Sequence, residues 1–447
     1  MKKVLIKNAK IVNEGKITEG DVFIEDGIIK EISESISAKS PDVQIFDAEG
    51  THLLPGIIDD QVHFREPGLT HKEDIEMGSR AAVAGGITSF IEMPNTLPQT
   101  TTIEELEKKF QLAAEKSYAN YSFMFGGTND NLEEILKVDP KKTAALKLFL
   151  GSSTGNMLVD DQKVLEEIFS KSPLLIAVHC EDETTIQNNL KECVERYGDD
   201  IPIELHPKIR SEEACYKSSS NAVKLAKKTG ARLHVFHVST AKELELFSNK
   251  KLLKDKKITA EVCIHHLWFN DHDYKQKGTF IKWNPAVKSE KDQEALMKAL
   301  NDDILDVVAT DHAPHTKQEK QNPYTKAPSG GPLVQHALPA MLQFYHKEKI
   351  SLEKIVEKMC HNPAILFDIK DRGYIRVGYK ADLVLVDLNA PWQVKSDNIL
   401  YKCGWSPFEG VTFKSRITHT FVNGRLVYKN FKHQPFAKVA QQLEFDR

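Results

Sequence analysis

The sequence predicts an α/β protein, a (β/α)8 TIM barrel with a small β domain built from both chain ends. Three observations carry this. Eight short apolar runs recur through the middle of the chain with helical stretches between them. Ionisable residues stand at or near the C-terminal ends of several of these runs, the face of a barrel that bears chemistry. Both ends of the chain read instead as short β segments punctuated by Gly and Asp.

The first 55 residues give VLIKNAKIV, DVFIEDGIIKEI and QIFDAEGTHLLPG, short strands with turn residues between them. The eight barrel runs follow in order: GIIDDQVHF (56–64), ITSFIEM (87–93), NYSFMFG (120–126), AALKLFL (144–150), LLIAVHC (174–180), RLHVFHV (232–238), ITAEVCI (258–264) and ILDVVAT (304–310). Helical patterns separate several of them, such as TIEELEKKFQLAAEKS with Thr102 as N-cap. From about Gly373 the β pattern returns in YIRVGYKADLVLVDL and in ITHTFVNGRLVYKN, whose Asn-Gly marks a turn. Neither end buries a core alone, so both are expected to meet in one domain. The expected division is 1–55 and 366–447 for the small β domain and 56–365 for the barrel. A chain of 447 residues is long enough for this arrangement.

Composition excludes some function classes. A net charge of −4 gives no reason to expect nucleic acid or an anionic membrane as partner, and no apolar run approaches the length of a membrane span. An anionic ligand would need a local basic cluster. The start, MKKVLIKNAKIVNEG, lacks the apolar core of a signal peptide. The six cysteines show no CxxC pair and no disulfide-framework spacing, which points to reduced thiols in a cytoplasmic protein.

The strand ends carry the candidate chemistry. His63 closes the first run, Lys147 lies in the fourth, His179 closes the fifth, His237 the sixth, and Asp311 follows the eighth. A lone histidine at a strand end is more often structural. Three histidines and an aspartate on one barrel face suit zinc, and also iron or manganese. Lys147 is the polar exception in an apolar strand. It either snorkels out of the wall or is desolvated and reactive. Gln61 stands two residues before His63, where a second metal-binding histidine is expected.

The strings DDQVHFREPG (59–68), EMPNT (92–96), HC (179–180), FHVST (236–240) and ATDHAPHT (309–316) resemble the dihydroorotases of the amidohydrolase superfamily. The resemblance runs in order over nearly the whole chain. Arg65, the MPNT tetrapeptide and His315 are its most specific parts, and they separate dihydroorotases from hydantoinases and allantoinases. The resemblance implies a binuclear metal centre in which Lys147, carboxylated by CO2 to N6-carboxylysine, bridges two metals; the ALKLFLGSS context favours this over an aspartate bridge. His63 and Asp311 would serve one metal, with the histidine that Gln61 replaces, and His179 and His237 the other. Asp311 would carry a proton between a nucleophilic water and the leaving nitrogen. The implied reaction is the reversible cyclisation of N-carbamoyl-L-aspartate to L-dihydroorotate in pyrimidine biosynthesis.

The implied substrate carries a free carboxylate. Arg65, Asn95 and His315 resemble the residues that hold it, and Asn284, Ser329 and Gly330 resemble further substrate contacts. Each also has a plain alternative. Arg65 pairs with Glu66 or Asp60, Asn95 and Asn284 are turn residues beside prolines, and His315 is a loop histidine. The polar stretch 315–332 is either an inert loop or a cover over the ligand. His265 and His266 are expected to support the site rather than touch the ligand. Gln61 predicts unequal metal affinities, with one Zn2+ held tightly and a second lost readily, unless Gln61 turns away and Asp60 or a water completes the site. Two other readings stand beside the enzyme: a hydantoinase- or allantoinase-type hydrolase, and a catalytically silent homologue acting as a partner subunit. By analogy the chain forms a homodimer.

Overall fold

The computed structural model of the chain describes residues 3–38, 40–151, 157–435 and 439–447. Five strands open it: β1 (Lys3–Asn13), β2 (Lys16–Glu25), β3 (Ile28–Ser33), β4 (Val43–Asp47) and β5 (His52–Pro55). The barrel follows with β6 (Ile57–Val62), β7 (Ile87–Glu92), β8 (Asn120–Phe123), β9 (Phe125–Gly126), β10 (Leu146–Phe149), β11 (Ile176–His179), β12 (Leu233–Val235), β13 (Ile258–Cys263) and β14 (Val307–Ala309). The C-terminal strands are β15 (Leu383–Asp387), β16 (Trp392–Gln393), β17 (Thr412–Phe413), β18 (Arg416–Val422), β19 (Arg425–Lys429) and β20 (Lys432–His433).

The barrel strands are parallel throughout. β6, β7 and β8 pair in sequence, and β9 to β14 pair in sequence. β8 and β9 are two pieces of one barrel position, interrupted at Met124. A bridge from Val62 to His312 joins the first position to the eighth. The eight apolar runs thus occupy the eight positions of a closed barrel. Strands buried on both faces need few polar residues, which is why these runs read as nearly continuous apolar stretches. The helix Ile103–Lys116 begins where the sequence places it, with the Thr102 side chain accepting from Glu105 N–H.

Both chain ends do meet in one sheet, in the order β20-β19-β18-β15-β5-β1-β2-β3, with β4 also paired to β1. β5 links the halves: it runs parallel to β1 and antiparallel to β15. Asn423 and Gly424 both have positive φ between β18 and β19, as the Asn-Gly hairpin requires. Ile6, Val22, Leu53, Leu383, Leu385 and Phe421 form the core of this sheet. Inside the barrel a second cluster joins Ile58, Ile91, Met124, Leu175, Ala177 and Phe236 to Phe367, Leu443 and Phe445. Residues 439–447 therefore return from the small sheet to the end of the barrel opposite the strand-end histidines. No described helix is long and apolar enough to cross a membrane.

Candidate active site

At the C-terminal ends of the strands lies a cavity lined by Gln61, His63, Arg65, Asn95, Lys147 and Phe149 on one side. His179, His237, Trp283, Asn284, Asp311, Ala313, Ser329 and Gly330 line the other. Every candidate residue named from the sequence except His315 lines it, and His315 stands directly behind. Three of the residues, Arg65, His237 and Asp311, hold positive φ (63°, 39° and 49°), uncommon for residues other than glycine. Such backbone costs on the order of 1–3 kcal/mol each and concentrates where side chains must be aimed. Here it turns each chain sharply at a strand end.

The metal-type residues fall into two pairs. His63 Nε2 lies 3.2 Å from Asp311 Oδ1. On the other side of its ring, His63 Nδ1 donates to Asn95 Oδ1 at 2.7 Å, which leaves the Nε2 lone pair facing the carboxylate. His179 Nδ1 and His237 Nε2 face each other at 3.0 Å. His179 Nε2 lies 3.1 Å from Glu181 Oε2 without a hydrogen bond between them among the described residues. His237 Nδ1 is buried without a partner among the described residues. Burial drives His63 and His237 well below the usual imidazole range and lowers His179 as well. Neutral rings with lone pairs converging in pairs fit a divalent metal.

Lys147 is 1% exposed, so it does not snorkel. Its ammonium sits over the rings of Phe236 (4.1 Å) and Phe149 (4.8 Å), and burial pulls it down to about 8, against the opposing charges of Asp311 and Glu261. Its charge bears on His63, His179, His237 and Asp311 alike, which puts it among both pairs. Asp311 is pushed up to about 7 by burial, with Lys147, His179 and Arg65 opposing the shift. Ser152 and Ser153 of the ALKLFLGSS string lie outside the described residues. Gln61 lines the cavity, and its Oε1 lies 3.6 Å from the Cys263 thiol. Asp60 faces away from His63, towards His234 and Glu261.

Arg65 is 2% exposed and pairs with neither Glu66 nor Asp60. Its Nε donates to Pro314 O at 3.0 Å, and its Nη2 approaches His315 Nε2 at 3.1 Å. Among the described residues no carboxylate lies within ion-pair distance of it. His315 Nε2 is also 3.0 Å from Ser329 O, and its Nδ1 accepts from Lys72 Nζ at 2.9 Å. His315 therefore ties the arginine to the loop carrying Ser329 and Gly330. Gly330 has φ 128°, and a Cβ there would meet Ala313 O at 2.4 Å. Only glycine lets this loop approach so closely. Asn284 Oδ1 is buried without a partner among the described residues. His265 stacks on Trp283 with centroids 4.4 Å apart, and His266 Nε2 donates to Pro285 O at 3.1 Å. The two histidines thus brace the segment that presents Asn284.

Several contributors had no clear signal in the sequence. Glu181 is fully buried behind His179. Burial alone would raise its carboxyl, but Arg210 and His179 outweigh that and hold it at about 2. Asp59 accepts from Thr310 Oγ1 (2.6 Å) and Thr310 N (3.1 Å), strapping β6 to the turn that aims Asp311. Lys320 is buried in the polar 315–332 stretch and donates to Lys282 O, Pro328 O and Gly330 O. Lys282 donates in turn to Tyr324 O and Ala327 O. Glu181 follows His179 by two residues and was open to suspicion; Lys320 looks like any loop lysine.

A barrel with metal-type residues at its strand ends and a β domain made from both termini defines a class of metal-dependent hydrolases. The chain belongs to the amidohydrolase family, whose model matches residues 52–427. It is similar to a dihydroorotase of Carboxydothermus hydrogenoformans (36% identical, covering 95% of this chain and 98% of that one). It is also similar to one from Methanosarcina mazei (34%; 92% and 91%) and one from Staphylococcus epidermidis (33%; 96% and 100%). Among solved structures it resembles the L-hydantoinase of Arthrobacter aurescens, with TM-score 0.93, 29% identity and 99% and 100% of the two chains covered.

Proposed function

We propose that this chain is a dihydroorotase, interconverting N-carbamoyl-L-aspartate and L-dihydroorotate. The observation that carries the choice within the family is Arg65. A buried guanidinium on the cavity wall, lacking a protein carboxylate and flanked by His315 and Lys72, suits a substrate that brings a carboxylate of its own. Hydantoin and 5,6-dihydrouracil rings carry no such carboxylate, so the similarity to L-hydantoinase is one of fold and hydrolytic centre. The silent-homologue reading is disfavoured because His63, Lys147, His179, His237 and Asp311 all face one cavity.

His63, Asp311, His179 and His237 are the residues that would hold Zn2+, with Lys147 as a bridging carbamate. When bound, the metal supplies Lewis acidity, which makes a water nucleophilic near neutral pH and polarises the amide carbonyl. Burial supports the lysine assignment, because an amine held near 8 is partly neutral at ambient pH, and the neutral amine is the form that adds to CO2. Asn95 fixes the tautomer of His63, and Glu181 places a carboxylate beside His179. Asp311 takes the proton from the attacking water and returns it to the ring nitrogen as the amide bond breaks. Arg65, positioned by His315, holds the substrate carboxylate, while Asn284, Ser329 and Gly330 frame the ring. The six cysteines are unpaired, which suits a cytoplasmic setting. We retain as proposals the division 1–55, 56–365 and 366–447, and a homodimer.

The test is direct. Zinc-loaded full-length chain incubated with L-dihydroorotate should release N-carbamoyl-L-aspartate, and Asp311→Asn should slow this by ~10² or more. Absence of product, or an unchanged rate in Asp311→Asn, would overturn the assignment.

A further inference from the structure

We propose that Asp60, His234 and Glu261 form a further divalent-metal site inside the barrel, beneath the catalytic cavity and separate from the residues assigned to it. The three come from β6, β12 and β13, and each is fully buried. Their donor atoms all lie within 4.8 Å of one another.

The orientation of His234 carries the inference. Its Nδ1 lies 2.9 Å from Thr259 Oγ1, and that hydroxyl donates its own proton to Leu233 O at 3.2 Å. The hydroxyl is therefore the acceptor and Nδ1 bears the proton. The Nε2 lone pair is left pointing at two carboxylates, 3.6 Å from Asp60 Oδ2 and 3.5 Å from Glu261 Oε2. These separations exceed the roughly 2.7–3.2 Å of a hydrogen bond. They match the edges of a tetrahedron around zinc, since metal–ligand bonds of about 2.0–2.2 Å give donor–donor edges of roughly 3.3–3.6 Å. Both Asp60 oxygens, Glu261 Oε2 and His234 Nε2 lack hydrogen-bond partners among the described residues. Buried polar atoms left unpaired are costly, and here three of them, Asp60 Oδ2, Glu261 Oε2 and His234 Nε2, converge on one point. Two carboxylates also offset the charge of a divalent ion, so the closed site is neutral.

The second oxygen of Glu261 is differently occupied. Oε1 lies 3.3 Å from the Cys263 thiol and accepts from His237 N–H at 3.3 Å. The inner site thus adjoins the floor of the catalytic cavity without sharing a ligand with it. An ion there would brace β6 across the barrel lumen against the adjacent pair β12 and β13, neither of which β6 neighbours in the sheet. The mixed nitrogen and oxygen donor set suits zinc.

Zinc itself is the probe. Crystals of the full chain grown with Zn2+ and measured at the zinc absorption edge should show an anomalous peak bonded to His234 Nε2, Asp60 Oδ2 and Glu261 Oε2. His234→Gln should bind one zinc equivalent fewer than the parent by elemental analysis and still hydrolyse the substrate. Zinc at His179 and His237 with none at the inner trio would overturn the proposal, and so would crystals with zinc at neither place. An unchanged zinc count in folded His234→Gln would overturn it too. If that variant does not fold, the anomalous map of the parent decides alone.

Discussion

Lys147 and Gln61 are the residues on which the proposed metal binding turns. Lys147 is an amine sealed into the barrel wall amid the four metal-type side chains, and a free ammonium there would repel two cations. Lys147→Ala should lose bound zinc and activity together, and a short carboxylic acid in the buffer should restore part of both. A variant that keeps its zinc and its rate would refute the bridge. Gln61 offers a neutral amide oxygen, a poorer zinc ligand than imidazole. Dialysis against a mild chelator should therefore strip one zinc well before the other, and Gln61→His should narrow the gap. Equal resistance of both ions in the parent would contradict this. The ligand types were legible in the sequence because strand-end histidines in apolar runs are conspicuous. The aim of each ring was not. It depends on Asn95, and on left-handed backbone at His237 and Asp311, which no local pattern announces. Nor did the sequence reveal that consecutive residues Asp60 and Gln61 serve different levels of the barrel. The register shift between Asp59 and Val62 breaks the strand alternation there.

At the scale of elements, the loop after β14 shows why composition misleads. Residues 315–332 read as polar, either an inert loop or a cover over the ligand, and within them Lys320 is buried and donates to three backbone carbonyls. Lys320→Met should leave those carbonyls unsatisfied at a cost of about 1–3 kcal/mol. Limited proteolysis should then cut the loop faster, and KM for dihydroorotate should rise because Ser329 and Gly330 lose their support. An unchanged cleavage rate would show that the lysine does not pin the loop. The segment after β11 gives a pH test. Burial raises the Glu181 carboxyl, but Arg210 and His179 bring it down to about 2 from an ordinary 4.5. A depressed carboxyl contributes stability that is present above about 4.5 and is lost as pH falls towards 2, here on the order of 3 kcal/mol. In urea unfolding with chelator present, the advantage of the parent over Glu181→Gln should be full at neutral pH and shrink through that window. A difference that does not change with pH would mean that the pairing is not ionic.

On the scale of the whole molecule, the barrel and the joined termini were both legible. Eight apolar runs of similar length can close only in a few ways, and two β segments too small to fold alone need each other. The return of residues 439–447 to the barrel was not legible, because Leu443 and Phe445 sit in a short stretch without periodicity and find their partners only through tertiary contact. The fold is shared with hydantoinases, so it does not choose the substrate; in the proposed reading that choice rests on one buried guanidinium lining the same cavity as the metal-type residues. The most direct measurement compares kcat/KM for L-dihydroorotate with that for 5,6-dihydrouracil, the same ring without the carboxylate, in the parent and in Arg65→Met. A charge-assisted contact worth about 1.5–3 kcal/mol predicts that the parent favours dihydroorotate by roughly 10- to 100-fold and that Arg65→Met loses most of that preference. Equal use of the two rings by the parent, or a preference that survives Arg65→Met unchanged, would contradict the account.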